Sequence, residues 1–333
     1  MKSKSSRASH EAIALAADVS VSTVDRVLNE RGGVTEEKAR RVVQAAAKLG
    51  FVRVLPEIWH TTKRIEVILP KNSTPFWQSL DEAFVRHGAA LPRHYVLQRT
   101  HLRENDVALW RRAILNPAAP RAALIIAADA GAEMAPALQE VMDRGEIVAT
   151  LTTEIPGLSG HTHSGIDNVA AGRTAGKLMA GLLRREGVLA VLPPHERRVE
   201  HTQRIEGFRQ MVADRFEVQV HPTYDRNHRL SSLVTNLLDQ QGVVGVYDTG
   251  HDSVEIGETL RRRADRPVWI AHEKSSVHQL YLKTGILDFV LDQDPDRQAS
   301  HALLDVLKRC QEEKFRLVPV HRPELRIYCS ENL

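Results

Sequence analysis

The sequence predicts an α/β protein in which a small N-terminal helical unit precedes two doubly wound lobes built on parallel sheets. The first observation is a set of three short segments before residue 51 whose apolar residues recur at helical spacing. The second is the pattern after Arg64, where unbroken apolar runs alternate with amphipathic helical stretches. Such runs are typical of parallel strands covered on both faces. Nine of them between Arg64 and Gln293 suit two successive sheets better than one.

The composition is that of an ordinary globular protein. The chain has 333 residues, of which 42% are hydrophobic and 26% charged. No apolar run approaches the roughly 20 residues needed to cross a bilayer, and the basic N-terminal segment lacks the apolar stretch of a secretory signal. The two cysteines, Cys310 and Cys329, are too few for a disulfide framework. We therefore expect a cytoplasmic protein without a membrane partner.

Positive charge is concentrated at the N-terminal end. Residues 1–64 contain 12 Lys and Arg against 7 Asp and Glu, whereas the formal net charge of the whole chain is only +3. A basic segment on a slightly acidic body is typical of a polyanion-binding module joined to a second domain. A charged, solvated tail is the alternative that charge alone leaves open.

Three helices are expected within residues 1–51. Ser9, Ser20 and Thr35 stand where N-caps are needed, and Gly50 ends the third helix. Asp18 lies in the turn between the first two helices, where a positive φ is required. In the first helix the apolar residues at helical spacing are Ile13, Ala14, Ala16 and Ala17. The residues expected to face inward from the second and third helices are Val24, Val27, Leu28, Val42, Val43, Ala46 and Leu49. This arrangement fits a helix-turn-helix module, with a generic helical bundle as the alternative.

The outer face of the second helix favours the helix-turn-helix interpretation. It carries Ser22, Thr23, Arg26 and Asn29, which are short hydrogen-bonding side chains and one bidentate donor. The stretch "IALAADVSVSTVDRVLNERGGVTEEKARRVVQAAAKLGF" resembles the DNA-binding headpiece of LacI-family transcription regulators. Asp18 departs from the glycine that is usual there. The resemblance implies base contacts by Val21, Ser22 and Arg26 and phosphate contacts by Ser20, Thr23 and Asn29.

The family usually continues with a hinge helix that inserts a leucine into the minor groove. Here the segment 52–64 lacks the usual pattern, and Pro56 would break a helix already running. Leu55 or Ile58 is a candidate wedge. A plain extended linker is the other reading.

The resemblance extends through the rest of the chain, which is similar to the periplasmic-binding-protein type I fold. It is carried by "NSTPFW", "GIDNVAAGRTAG", "QRIEGF" and "LDQDP". It implies a headpiece at 1–51, a linker at 52–64 and a two-lobed effector-binding and dimerisation domain at 65–333. The first lobe is expected at about 65–165 and 295–315, and the second at about 166–292.

Ligands bind such folds at the carboxyl ends of the strands, between the lobes. Aromatic rings are expected to stack on a sugar, and planar polar groups to bond its hydroxyls. The candidate effector-binding residues are Phe76, Trp77, Asp129, His201, Thr249, His251, His272, Glu273, Asp292 and Gln293. Thr152 and Thr153 replace the Asp-Arg pair usual in sugar receptors. The sequence therefore favours a sugar, polyol or sugar derivative, including a sugar acid, and leaves a purine open.

No catalytic or metal-binding constellation is apparent. His161 and His163 are two residues apart, unlike the helical spacing of zinc enzymes, and no dinucleotide, Walker or nucleophile-elbow motif is present. We expect no enzyme activity, no cofactor and no metal. The predicted function is a homodimeric, operator-binding transcription regulator with an allosteric effector, and repression is the favoured mode. The alternatives are a sugar-binding protein without regulatory role and a sugar-acting enzyme.

Overall fold

A computed structural model describes residues 9–29, 31–51, 62–92, 94–128, 131–194, 198–222, 230–239, 242–250, 253–310 and 322–333. The chain divides into two compact units. One comprises residues 1–63 with 92–96, and the other comprises 64–91 and 97–333. The predicted linker at 52–64, with Leu55, Pro56 and Ile58, lies outside the described residues except for 62–64.

The headpiece contains three helices, α1 (His10–Ala17), α2 (Val21–Leu28) and α3 (Glu36–Lys48). Asp18 has φ 52°, which confirms the left-handed turn expected between α1 and α2. The buried core is formed by Ile13, Ala14, Ala17, Val24, Val27, Leu28, Ala39, Val42, Ala45 and Ala46.

Two apolar residues of the headpiece are exposed, and one of them, Leu49, was expected in this core. Ala16 lies on the solvent side of α1, because the buried face of this short helix is defined by Ile13, Ala14 and Ala17. Leu49 is 41% exposed. It is the C-cap residue that follows α3, so the periodicity of the helix no longer sets its direction.

The first lobe is built on a five-stranded sheet in the order β2-β1-β3-β4-β5. Its strands are β1 (Lys63–Pro70), β2 (Tyr95–Leu102), β3 (Ala123–Ile126), β4 (Ile147–Leu151) and β5 (Thr162–Ser164). The helices between them are α4 (Pro75–Ala89), α5 (Val107–Leu115) and α6 (Ala135–Asp143), with a 3-10 turn at Gly131–Met134. The pairings of β3 with β1 and β4, and of β4 with β5, are parallel.

The second lobe is built on a six-stranded sheet in the order β11-β10-β9-β8-β6-β7. Its strands are β6 (Val188–Leu192), β7 (Glu217–Val220), β8 (Val243–Asp248), β9 (Val268–His272), β10 (Phe289–Asp292) and β11 (Arg326–Tyr328). Its helices are α7 (Asn168–Leu182), α8 (Val199–Val212), α9 (Leu230–Asp239), α10 (Ser253–Arg261) and α11 (Ser276–Lys283). β11 pairs antiparallel with β10, and the other pairings are parallel.

The chain crosses between the lobes more than once. It passes from β5 into α7 of the second lobe and returns from β10 into α12 (Pro295–Cys310), which packs on α4, β4 and β5. The hydroxyl of Ser164 donates to the backbone oxygen of Gln298 at 2.8 Å, which ties the two crossovers together.

The predicted fold class is confirmed. Each of the nine apolar runs forms a strand, and the two sheets share the doubly wound order in which the first strand lies between the second and third. The strands that the sequence missed are β5 and β11. Each has three residues, and neither contains an apolar run.

Helices α7 and α8 of the second lobe approach each other very closely. A Cβ added to Gly172 would lie 2.0 Å from the backbone oxygen of Arg204, and one added to Gly207 would lie 2.0 Å from that of Val169. Only glycine permits this approach. It brings Asn168, on α7, within hydrogen-bonding distance of Arg204, on α8.

Candidate functional site

One face of α2 is apolar and buried, and the other is polar and open to solvent. Val24, Val27 and Leu28 are buried in the headpiece core. In the first turn Val21 is 45% exposed, and Ser22 and Arg26 are exposed as well. The three residues predicted to read bases are therefore all accessible to solvent.

Hydroxyl groups cluster at the start of α2. The Ser20 Oγ caps the helix by accepting from the Thr23 backbone N–H at 3.2 Å, and it lies 2.9 Å from the Ser22 Oγ and 2.8 Å from the Thr23 Oγ1. Three hydroxyls thus lie together at the N-terminus of a helix, a position that favours anions such as phosphate.

At the other end of α2, the Asn29 amide is held by the headpiece itself. Its Nδ2 donates to the backbone oxygen of Asp25 at 3.0 Å and to the Asp25 Oδ1 at 2.7 Å. Arg31 forms an ion pair with the same aspartate at 3.0 Å. A phosphate contact by the Asn29 side chain stays a prediction, and it would compete with these bonds.

In the effector unit, a polar cluster lies where the strands of the second sheet end. His201 Nδ1 lies 3.0 Å from both the backbone oxygen and the Oγ1 of Thr249. The guanidinium of Arg204, one turn further along α8, donates to the same backbone oxygen at 2.7 Å and to the Asn168 Oδ1 at 3.0 Å. All four side chains are buried.

Three buried atoms of this region lack a hydrogen-bond partner among the described residues. They are Arg204 Nη2, His272 Nδ1 and Glu273 Oε2. The Gln293 Nε2 donates to the other carboxyl oxygen of Glu273 at 2.5 Å. Because buried polar groups are normally satisfied, these atoms at the ends of strands are candidates for contacts with a ligand.

Burial shifts the protonation of these groups. It raises the pKa of Glu273 to about 8, although the nearby Arg204 guanidinium acts in the opposite direction. It also lowers the pKa of His272 well below its usual value, so this imidazole is neutral. The Tyr247 hydroxyl lies 2.8 Å from His272 Nε2. With that hydroxyl donating, Nδ1 carries the proton of the ring and is a free donor.

The Asp292 side chain is held by hydrogen bonds from the backbone. Its two carboxylate oxygens accept from the backbone N–H groups of Lys274 at 2.9 Å and Asp294 at 3.1 Å. It therefore shapes the loop that follows β10.

The two lobes touch directly through five side chains, which we call the lip cluster: Trp77, Glu104 and Thr153 of the first lobe and Arg198 and Glu200 of the second. The Arg198 guanidinium carbon lies 5.2 Å from the ring centre of Trp77, and the same guanidinium forms an ion pair with Glu104. The Thr153 hydroxyl donates to Glu200 at 2.8 Å. The cleft is thus bridged by charge and aromatic contacts.

The lip cluster includes Trp77, one of the two aromatic residues expected to stack on a sugar. Phe76 and Trp77 are buried and pack edge to face, with ring centres 5.1 Å apart. Arg198 covers one face of Trp77. Stacking of a ligand on these rings stays a prediction, and on that face it requires Arg198 to move.

Thr152 and Thr153, which replace the usual Asp-Arg pair, follow β4 at the end of the first lobe's sheet. Thr152 adopts φ 62°, a strained conformation for a β-branched residue, directly after β4. The next residue is Thr153 of the lip cluster, so the strain occurs where the first lobe meets the second.

Two predicted effector residues, Asp129 and His251, lie outside the described residues. Among the described residues, no group of three or more His, Cys, Asp or Glu side chains is arranged to hold a metal ion. His163 instead lies 3.0 Å from the Thr150 hydroxyl, and burial lowers its pKa to about 4. Within the same ranges, no helix has the length and hydropathy that crossing a lipid bilayer requires.

Sequence reasoning missed Arg204, Asn168 and the charged members of the lip cluster. Arg204 belongs to the "QRIEGF" motif, and its position three residues after His201 puts both on one face of α8. That periodicity was the available signal. Glu104 and Arg198 are 94 residues apart, and nothing in the local sequence links them.

The fold and site define a DNA-binding regulator, with a helix-turn-helix headpiece and a two-lobed ligand-binding unit. The family model for bacterial regulatory proteins of the lacI family matches residues 11–53. The model for the periplasmic binding protein domain matches residues 65–314. The chain belongs to the LacI family of regulators, with an effector unit of the periplasmic binding protein family. No curated protein sequence matches it.

Solved structures with the same fold include several solute-binding proteins. A glucose-galactose binding protein from Geobacillus stearothermophilus is 17% identical, with a TM-score of 0.70 over 82% of this chain and 99% of that one. A solute-binding protein from Actinobacillus succinogenes with bound D-allose is 16% identical, with a TM-score of 0.68 over 81% and 98% of the two chains. One from Agrobacterium vitis with bound D-fucose is 17% identical, with a TM-score of 0.67 over 81% and 96%. At these identities the likeness shows the fold alone.

Proposed function

We propose that this protein is a transcription repressor whose affinity for its operator is set by a small effector bound between the two lobes. The observation that carries the proposal is the two-faced helix α2. It buries Val24, Val27 and Leu28 and presents Val21, Ser22 and Arg26 to solvent. A helix with such a face fits the major groove.

Specific and non-specific binding draw on different residues. Arg26 is the bidentate donor suited to guanine, and Val21 and Ser22 supply short contacts to base edges. The hydroxyls around Ser20 suit phosphate oxygens, which fix the register of the helix without reading sequence. The basic headpiece adds affinity by releasing counterions, so binding weakens as salt rises.

The effector enters at the polar cluster around Arg204. Unpartnered donors and an unpartnered carboxyl oxygen suit a ligand rich in hydroxyl groups, which both donate and accept. We infer a sugar or polyol. The fold that this chain shares with proteins solved with D-allose and D-fucose supports the inference.

Effector binding controls DNA by favouring one arrangement of the lobes. A ligand shifts such an equilibrium only through its different affinities for the two states, and coupling energies of about 1–3 kcal/mol are usual. We propose that the protein acts as a cytoplasmic homodimer, with two recognition helices on a pseudo-palindromic operator.

The second candidate function is a sugar-binding protein without a regulatory role, because the similar solved structures are solute-binding proteins. The headpiece distinguishes the two candidates. A binding protein gains nothing from a basic module with an exposed Arg26, whereas a regulator requires it.

The test is capture of genomic fragments by the full-length protein, followed by a reporter fused to the recovered promoter. The proposal predicts enrichment of a few promoters with a two-fold symmetric site and lower reporter output when the protein is expressed. Uniform capture of all fragments would overturn operator recognition. Higher reporter output would replace repression with activation.

A further inference from the structure

Helix α2 carries an acidic residue beside the residues predicted to read bases. Because an α-helix has about 3.6 residues per turn, Asp25 lies between Val21 and Ser22 around the helix axis, one turn further along. Its side chain is 38% exposed, and the next residue in the chain is Arg26. A carboxylate on a surface that binds a polyanion requires an explanation, because its charge repels the phosphates of DNA.

Two side chains of the headpiece hold the Asp25 carboxylate in one orientation. The Asn29 Nδ2 donates to Oδ1 at 2.7 Å, and the Arg31 Nη1 donates to Oδ2 at 3.0 Å. The Arg31 backbone N–H donates to the backbone oxygen of Arg26 at 2.9 Å, so the loop that carries Arg31 folds against the end of α2. The carboxylate is therefore oriented before DNA arrives, which lowers the entropy cost of a further contact.

The same carboxylate can accept further hydrogen bonds. A carboxylate offers about four lone-pair sites. Within the described residues, side-chain donors use two of those of Asp25. The side chain of Arg31 is 65% exposed, so the ion pair is open to solvent. Arg31 thus offsets part of the charge of Asp25 without burying it.

The major groove offers donors as well as acceptors to such a helix. The groove edge of guanine only accepts, which suits Arg26, whereas a carboxylate requires an amino group. The N4 amino group of cytosine is the usual partner of Asp and Glu side chains in protein–DNA complexes. Adjacent basic and acidic residues on one helix can therefore read a guanine and a cytosine of the same or a neighbouring base pair.

We propose that Asp25 determines specificity by accepting from the N4 amino group of an operator cytosine, while its charge weakens binding to DNA of other sequences. The inference rests on the proposed function, and it adds one residue to the base contacts of α2. At the operator, the hydrogen bond to cytosine offsets the repulsion by phosphates. At other sequences the repulsion remains, and a thymine O4 or guanine O6 would face the carboxylate oxygen to oxygen. Both contributions widen the difference in affinity between right and wrong sites.

The experiment uses full-length protein and a library of random duplexes, from which wild-type and Asp25→Ala protein each select their preferred sites. Alanine removes the acceptor and is a good helix former. We expect each half-site selected by the wild type to contain a cytosine that the variant no longer requires. Replacing that cytosine in a synthetic duplex should weaken wild-type binding about 5- to 150-fold and binding of the variant by less than about threefold.

A second variant, Asp25→Asn, reports the effect of the charge alone. It keeps the shape of the side chain and one acceptor oxygen. Its affinity for random DNA at low salt should rise roughly twofold to tenfold, with a steeper dependence on salt, because one repulsive charge is removed. Glu37→Gln, at an exposed glutamate in the first turn of α3, is the matched control. It should change neither the selected sequence nor the ratio of operator to random affinity.

The outcomes separate this inference from the proposed function. Identical selected sites for wild type and Asp25→Ala overturn the inference, because Asp25 then only holds Arg31 and Asn29 in place. Unchanged affinity of Asp25→Asn for random DNA overturns it as well. In both cases a wild-type protein that selects a two-fold symmetric site leaves the proposed regulatory function intact. If the wild type selects no sequence, operator recognition fails and the inference fails with it.

Discussion

In the proposed function, single side chains of α2 decide which DNA the headpiece selects. Arg26 is exposed on α2, and a Cβ built on Gly33 would lie 3.5 Å from its Nη1, so the loop after α2 borders the guanidinium. Gly33 has φ 72°, a conformation that favours glycine. Because Gly33 has no side chain, the loop leaves the Arg26 guanidinium accessible to a base pair.

Replacing Arg26 by alanine tests the base contact. We expect Arg26→Ala to weaken operator binding by about 1–3 kcal/mol with little loss on random DNA, because a bidentate pair to guanine is lost. Fluorescence anisotropy at fixed salt measures both. Arg31→Ala, which removes another headpiece charge, is the control and should weaken both DNAs alike. Equal losses for Arg26→Ala would make Arg26 a phosphate contact only.

Glu273 should also govern how stability depends on pH. Its folded-state pKa of about 8 lies above its ordinary value of 4.5, so the folded state holds a proton that the unfolded state releases between these values. Wild-type protein should therefore lose stability relative to Glu273→Gln as pH rises from 5 to 8. Tm measured across this range, with Glu217→Gln as control, tests the trend. A gap that stays constant would show that Glu273 is not buried as described.

Among the elements, the close contact between α7 and α8 places Asn168 beside Arg204 in the polar cluster of the second lobe. We expect Gly207→Ala to lower the free energy of unfolding by about 1–3 kcal/mol, because its Cβ would overlap the backbone of Val169. The control is Gly181→Ala, also in a helix but with no atom within 4 Å of the added Cβ, which should raise stability by about 0.5–1 kcal/mol. Urea unfolding distinguishes them. Similar effects in both variants would mean that the helices pack more loosely.

The contacts of the lip cluster should couple the motions of the loops in the two lobes. Arg198→Ala removes the contacts of the second lobe with Trp77 and Glu104. Amide hydrogen exchange should then rise in the first-lobe loops around residues 72–77 and 103–106, far from the substitution in sequence. Arg185→Ala removes an exposed ion pair inside the second lobe and is the matched control. A rise confined to the start of α8 would show that the cluster does not hold the lobes together.

Elements and their contacts differ in how far the sequence reveals them. The strands and headpiece helices were predictable because their apolar residues follow the spacing of the element, as in the run ending at Asp248. Contacts such as Arg198 with Glu104 were not, because they depend on how the loops of two lobes meet. His201 was predicted from its place near a known motif. Arg204 lies inside that motif, three residues further along α8, but its importance became clear only from its buried hydrogen bonds.

At the scale of the whole molecule, one architecture is used twice. Both sheets place their first strand between the second and third, and the crossovers at β5–α7 and β10–α12 join the lobes. The two sheets follow from the alternation of apolar runs and helices, whereas the three-residue strand β5 has no apolar run that could reveal it. The ligand does not follow either, because two lobes of this shape accept many compounds and only the side chains at the strand ends choose among them.

The central claim is that a ligand in the cleft changes the affinity of the headpiece for one operator. The direct measurement is a titration of the captured promoter fragment with full-length protein, with and without a saturating neutral sugar that binds it. We expect a preference for this fragment over random DNA and a 5- to 150-fold change in operator Kd when the sugar is present. An unchanged Kd, or equal affinity for random DNA, would contradict it.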